Sequence, residues 1–109
     1  MSDVYEKGLA DIKKYDSNPD EALVQALAKN YALVMNNKDA SSVACSDPAE
    51  KETVRKNFLK KKLGLTQSDS ELDAAVDEVC QTMSGDRLKS RLTMYYLLTK
   101  KFGKESVFV

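Results

Sequence analysis

Apolar residues recur along this chain at helical spacing, and the residues between them read as helix starts and stops rather than as strands or hairpins. Tyr5, Leu9 and Ile12 share one face over residues 3–15, although Gly8 weakens that helix by up to about 1 kcal/mol. Asn18 then supplies an N-cap, Pro19 a first helical position and Asp20 and Glu21 acids for the first turn. The helix they predict runs to about Asn36 on a stripe of Leu23, Leu27, Tyr31 and Val34. "NKDASSVACS" is small and polar, and predicts a loop with room for a single helical turn.

Asp47, Pro48 and Glu50 form the next start signal, a cap with the spacing of a capping box, and Gly64 suits the left-handed position past the end of that helix. Ser68 and Glu71 repeat the box. They open a helix whose Leu72, Ala75, Val76, Val79, Cys80 and Met83 trace one stripe as far as Gly85. Asp86 is positioned to cap a last helix through "RLKSRLTMYYLLTKKF" to Gly103, leaving 103–109 as a short tail. The pattern predicts an all-α fold, a compact bundle of about five helices, and argues against a parallel sheet. With 109 residues, the chain fits a single helical domain able to bury roughly 60 to 70% of its extended surface.

Charge changes the picture at one place. In "VRKNFLKKKLGL" cations alternate with apolar residues, and at 100° per residue they do not form one stripe. Lys51, Arg55 and Lys62 fall on one arc and Lys56 and Lys60 on another, while Val54 with Phe58 and Leu59 with Leu63 form two separate apolar arcs. A membrane-surface helix needs one broad apolar face, so this pattern suits a helix touching neighbours on two sides with its lysine stems reaching outward. Residues 66–86 carry six acids and no base, with Asp69, Asp73 and Asp77 at i, i+4 spacing. Adjacent helices in a bundle would offset such charges. The alternative is that Lys51, Arg55, Lys56, Lys60, Arg87, Lys89 and Arg91 hold a phosphate or nucleic acid. "SGD" followed by Arg87 and Arg91 also has the outline of a helix-turn-helix, but its first helix would bring Asp69, Asp73, Asp77 and Glu78 toward the DNA backbone.

The totals narrow the function. Seventeen cations balance seventeen anions, whereas a dedicated nucleic-acid domain usually carries a basic excess, which makes nucleic acid an unfavoured partner. "MSDVYEKG" has no apolar core of a signal peptide and the apolar runs are too short to span a bilayer, so a cytoplasmic protein without a membrane partner is expected. The chain has no histidine, the residue on which much acid–base, triad and metal chemistry leans. No P-loop, dinucleotide fingerprint or calcium loop is present either, so neither cofactor nor metal is expected.

Cys45 and Cys80 are too few and too far apart in sequence for a disulfide framework or a four-cysteine zinc site, and both read as reduced thiols. Cys80, between Val76 and Met83, reads as a packed and inert side chain. Cys45 is the candidate reactive thiol, since a helix start two residues on would favour its thiolate, although Asp47 opposes that.

In the last helix Leu88, Leu92, Tyr95, Tyr96, Leu98 and Phe102 form a broad core stripe, with Met94 and Leu97 outside it. That helix is either central and covered on two sides or presents a small apolar surface of Met94, Leu97 and Lys101 to a homodimer mate or another protein. Val107, Phe108 and Val109 either fold back over apolar surface or serve as a recognition segment.

"DIKKYD", "CSDPAE", "NFLKKKLGL", "ELDAAVDEVC" and "GDRLKSRLTMYYLLTKKFGK" together resemble a family of small bacterial proteins known only as a domain of unknown function. The resemblance implies a bacterial cytosolic helical protein and brings no functional residues with it. These readings lead to a non-enzymatic interaction or accessory protein, with weak phosphate or nucleic-acid binding and thiol chemistry at Cys45 as alternatives.

Overall fold

A computed structural model describes residues 3–37, 41–86 and 89–109. Helix α1, Asp3–Ile12, buries Val4 and Ile12, and Gly8 lets it lie close against the last helix. A Cβ added at Gly8 would collide with Leu92 Cδ2, so the residue that weakens the isolated helix permits this contact.

The second helix starts two residues later than its sequence suggests. Asp16 accepts from the Asn18 backbone N–H, which commits residues 16–18 to a turn, and Asp20 becomes the cap by accepting from Leu23 N. Helix α2, Glu21–Asn30, is separated by Tyr31 from the short α3, Ala32–Met35, so the stripe expected to reach Asn36 is broken at Tyr31. Val43 and Ser42 then form β1, which pairs antiparallel with β2, Lys89–Ser90, in the register Ser42↔Ser90 and Val43↔Lys89. A ladder of two residues per strand is too short to leave a period in the sequence.

Asp47 caps α4, Pro48–Thr53, by accepting from Ala49 N, with Pro48 in the first turn as expected. From Val54 to Lys60 the same helix widens to π winding. Lys61 N donates to Lys56 O and Leu63 N to Phe58 O, both five residues back. This explains why 100° per residue splits the apolar residues into two arcs: the wider winding brings Val54, Phe58 and Leu59 to one buried side. Gly64, at φ 68°, turns the chain out of it, and Leu65 N bonds back to Leu59 O, six residues earlier.

Ser68 caps α5, Asp69–Thr82, accepting from Glu71 N and donating to the Glu71 carboxylate. The last helix, α6, is Arg91–Phe102, and its cap is Ser90 rather than Asp86; Arg87 and Leu88 lie outside the described residues. Gly103 closes it at φ 64°, and Glu105–Val107 adds a 3-10 turn.

Helix α6 packs against α1, α2 and α5, and eight of its residues, from Arg91 to Tyr96 with Leu98 and Thr99, are buried. Leu23, Leu27, Val54, Phe58, Leu72, Val76 and Met83 complete the core around it. The fold is all-α, as the pattern predicts, with a small two-stranded accessory that it does not. Coverage on several sides also corrects the expected contact surface on α6. Met94 is fully buried, Leu97 is half-buried against the core, and Lys101 is paired with Glu78 at 2.8 Å.

Candidate functional site

The basic helix meets α5 along a charged seam. Lys51 pairs with Asp77, Lys60 with Asp69, and Arg55 Nη1 reaches both oxygens of Asp73 at 2.9 and 3.0 Å. Lys56 pairs within its own helix with Glu52 at 2.6 Å. The hydrogen bond from Lys60 is the main cause that holds the Asp69 carboxyl below its ordinary range. The i, i+4 aspartates thus serve the neighbouring helix, as charge offset within a bundle requires. A shallow groove of about 240 Å3 opens between Pro48, Lys51, Glu52, Arg55 and Asp73, so its cations stand beside carboxylates.

The two remaining described cations of the phosphate reading lie elsewhere. Lys89 donates to Asp86 O at 2.9 Å. Arg91 is 7% exposed, with Nη1 donating to the Tyr95 hydroxyl at 3.1 Å and Nη2 to Glu50 at 3.3 Å. Arg87 lies outside the described residues. The six described residues therefore do not converge as one set.

A second polar region, which the sequence did not announce, joins α1 and the turn after it to α6. Tyr96 is fully buried, and its hydroxyl donates to Asp16 at 2.6 Å while accepting from the Asp20 backbone N–H at 2.9 Å. Thr93 donates to Asp11. Asp86, expected as a helix cap, instead accepts from Tyr15 and from Lys14, the latter at 3.0 Å. Burial first, and the Asp86 carboxylate second, push the Tyr15 phenol up to about 12, and burial with Asp16 does the same for Tyr96. In return, Tyr96 holds Asp16, and Tyr15 with Lys14 holds Asp86, below the usual carboxylate range.

The cysteines correct the sequence reading outright. Cys45 and Cys80, 35 residues apart, are joined by a disulfide with their Cα atoms 6.1 Å apart, and no free thiol exists in the chain. Cys45 is therefore not a free reactive thiol in this state, nor is Cys80 an isolated packed one. The packing of α4 against α5 brings them together, and linear spacing carries no trace of that. Both side chains are half-buried and line a shallow surface groove of about 510 Å3 with Asp77, Gln81, Ser84 and Lys89.

Beneath α6, Phe58 stacks on Tyr95 at 3.8 Å, and Tyr31 packs edge-on against Tyr95 and Phe108. Phe108 thus folds back over apolar surface, as one reading of the tail expects. The large exposed apolar side chains among the described residues are Leu33 at 89%, Val107 and Val109. They belong to two segments that meet at the contact between Tyr31 and Phe108. Among the described residues no helix is long and apolar enough to cross a membrane, and no cluster of metal-ligating side chains occurs.

The arrangement defines a mostly helical protein whose polar side chains brace one helix against another. Residues 7–106 match the family described as protein of unknown function DUF2853, and the chain belongs to that family. None of the curated proteins matches it.

Proposed function

We propose that this chain is a non-enzymatic helical interaction protein of the cytoplasm, that its contact surface is the one carrying Leu33, and that a second copy of the chain is the first partner to test. The observation that supports it is Leu33 itself, 89% exposed on α3, with Val107 and Val109 on the segment that meets α3 through Tyr31 and Phe108. Covering a leucine fully is worth about 1.5–3 kcal/mol, so several such side chains on adjoining segments give a partner something to bind.

The test is light scattering coupled to size exclusion over a wide concentration range, on the chain and on Leu33→Asp. A dimer that forms with concentration and is weakened by the substitution is the expected result. A monomer at every concentration, together with empty affinity capture from a native lysate, overturns the reading. Phosphate or nucleic-acid binding draws less support, because Lys51, Arg55 and Lys60 already face aspartates of α5. A complex with nucleic acid that weakens steeply as salt is added would restore that alternative.

A further inference from the structure

We propose that the Cys45–Cys80 pair is a thiol–disulfide exchange site, opened by a dithiol reductant while the rest of the fold stays intact. The inference stands apart from the contact surface at Leu33, and three observations carry it.

First, access: both cysteines line an open surface groove, and neither is sealed in the core. Exchange needs an attacking thiolate to reach one sulfur from outside, and a groove supplies that approach. Second, the local charge: Lys89 lines the same groove, and Asp77, the one carboxylate of that lining, is paired with Lys51. A cation beside a departing sulfur favours its thiolate and so eases its release. Third, redundancy: the segments that the bond joins are also held without it. Residues just before Cys45 are paired to β2, Asp47 caps α4, Lys51 reaches Asp77, and Val76, Val79 and Met83 anchor α5 in the core. Opening the bond therefore frees the short stretch around Cys45 and leaves the helices in place. The fit to a compartment rests on the cytoplasmic reading proposed above: in a reducing compartment a disulfide is usually transient and catalytic or redox-sensing, which fits a bond that can open without unfolding the chain.

The step balances. One thiolate of the dithiol bonds to one cysteine sulfur as the S–S bond breaks, and the electron pair stays on the other sulfur, which takes up a proton. The reductant's second thiol, once deprotonated, attacks the mixed disulfide and releases the first cysteine, which is protonated in turn. Two electrons and two protons reach the pair, and the reductant leaves as its own disulfide.

The experiment is reduction of the air-oxidised full chain by dithiothreitol in native buffer, followed by alkylation and mass measurement at several urea concentrations below the unfolding transition. Local opening predicts a reduction rate that stays flat with urea, and a reduced chain whose circular dichroism remains helical. A rate that climbs steeply with urea shows that reduction waits for global unfolding and overturns the proposal. Failure of the two cysteines to form an intramolecular bond on oxidation, or loss of helix on reduction, overturns it as well. Cys45→Ser, run beside the native chain, should show the same helical spectrum as the reduced form. Lys89→Gln should slow reduction several-fold near neutral pH, and an unchanged rate removes the lysine from the mechanism.

Discussion

Two polar regions hold helices together here, and they do it differently. The seam between the basic helix and α5 is built from opposite charges at the surface: Asp69 and Asp77 are each 57% exposed, and their lysine partners are partly exposed as well. The junction of α1 with α6 uses hydroxyls as much as charges, and Asp11 and Asp86 are only 21% exposed. Exposed ion pairs gain about 0–1 kcal/mol each because water and salt screen them. A half-buried hydrogen bond is expensive to remove, since the partner left behind has lost its water too. Residue types that look alike in a sequence therefore differ in worth according to what covers them.

The largest effect should come from the one covalent contact at the seam. Joining residues 45 and 80 closes a long loop in the unfolded chain, and loop-closure entropy puts its stabilisation at roughly 3 to 4 kcal/mol. Urea denaturation of oxidised and reduced chain should show that gap as a lower midpoint for the reduced form. A gap below about 1 kcal/mol would place the bond among the weak contacts of the seam.

Next in size is Tyr96→Phe. The substitution keeps the ring and removes a hydroxyl that both donates to Asp16 and accepts from the Asp20 N–H at the cap of α2. Leaving those groups without their partner should cost about 1–3 kcal/mol in urea denaturation. A loss under about 0.5 kcal/mol would make the junction no stronger than an exposed ion pair and erase the contrast.

The junction was also the least legible part of the chain. Caps that depend on neighbours two or three residues away could be read directly: Asp47, Ser68 and the left-handed Gly64 and Gly103 all stand where local chemistry places them. Where a second partner competes, near or far along the chain, local reading fails. Asn18 is a good cap until Asp16 takes its N–H, and Asp86 is a good cap until Tyr15 and Lys14 claim its carboxylate. Met94 lies off the apolar stripe of α6 yet is buried, because helices cover α6 from several directions. The two cysteines follow the same rule, since only the packing of α4 on α5 brings them together.

Proton linkage sharpens the contrast at a smaller scale. Asp16 and Asp86 have folded pKa values below the ordinary carboxylate value of about 3.9, so their contribution is present above that pH and is lost as pH falls through the lowered values. Tyr15 and Tyr96 shift the other way, from 10.0 to about 12. Their contribution is whole below about pH 10 and is lost as pH rises through about 12. Stability from these groups should thus be level between roughly pH 4 and 10 and decline on both sides. Urea midpoints measured across pH test this, and Tyr96→Phe should flatten part of both limbs. An acid limb identical in the variant and the parent would show that Tyr96 is not what lowers Asp16.

The smallest effects belong to the lysines of the seam. Lys60→Ala removes the partner of Asp69 at a site where both side chains are well exposed, 41% and 57%, and should cost about 0–1 kcal/mol, shrinking further in high salt. Arg55→Gln should cost more than Lys60→Ala, because the Arg55 side chain is only 15% exposed and its Nη1 serves both oxygens of Asp73. That ordering is the finest test of the contrast, since both cations lie on one helix and face the same acidic helix while differing in coverage. If denaturation in low and high salt gave the two variants equal losses with equal salt sensitivity, burial would not be what sets the worth of a polar contact here. If Arg55→Gln kept its loss in high salt while Lys60→Ala recovered, the buried end of the seam would behave like the junction of α1 with α6.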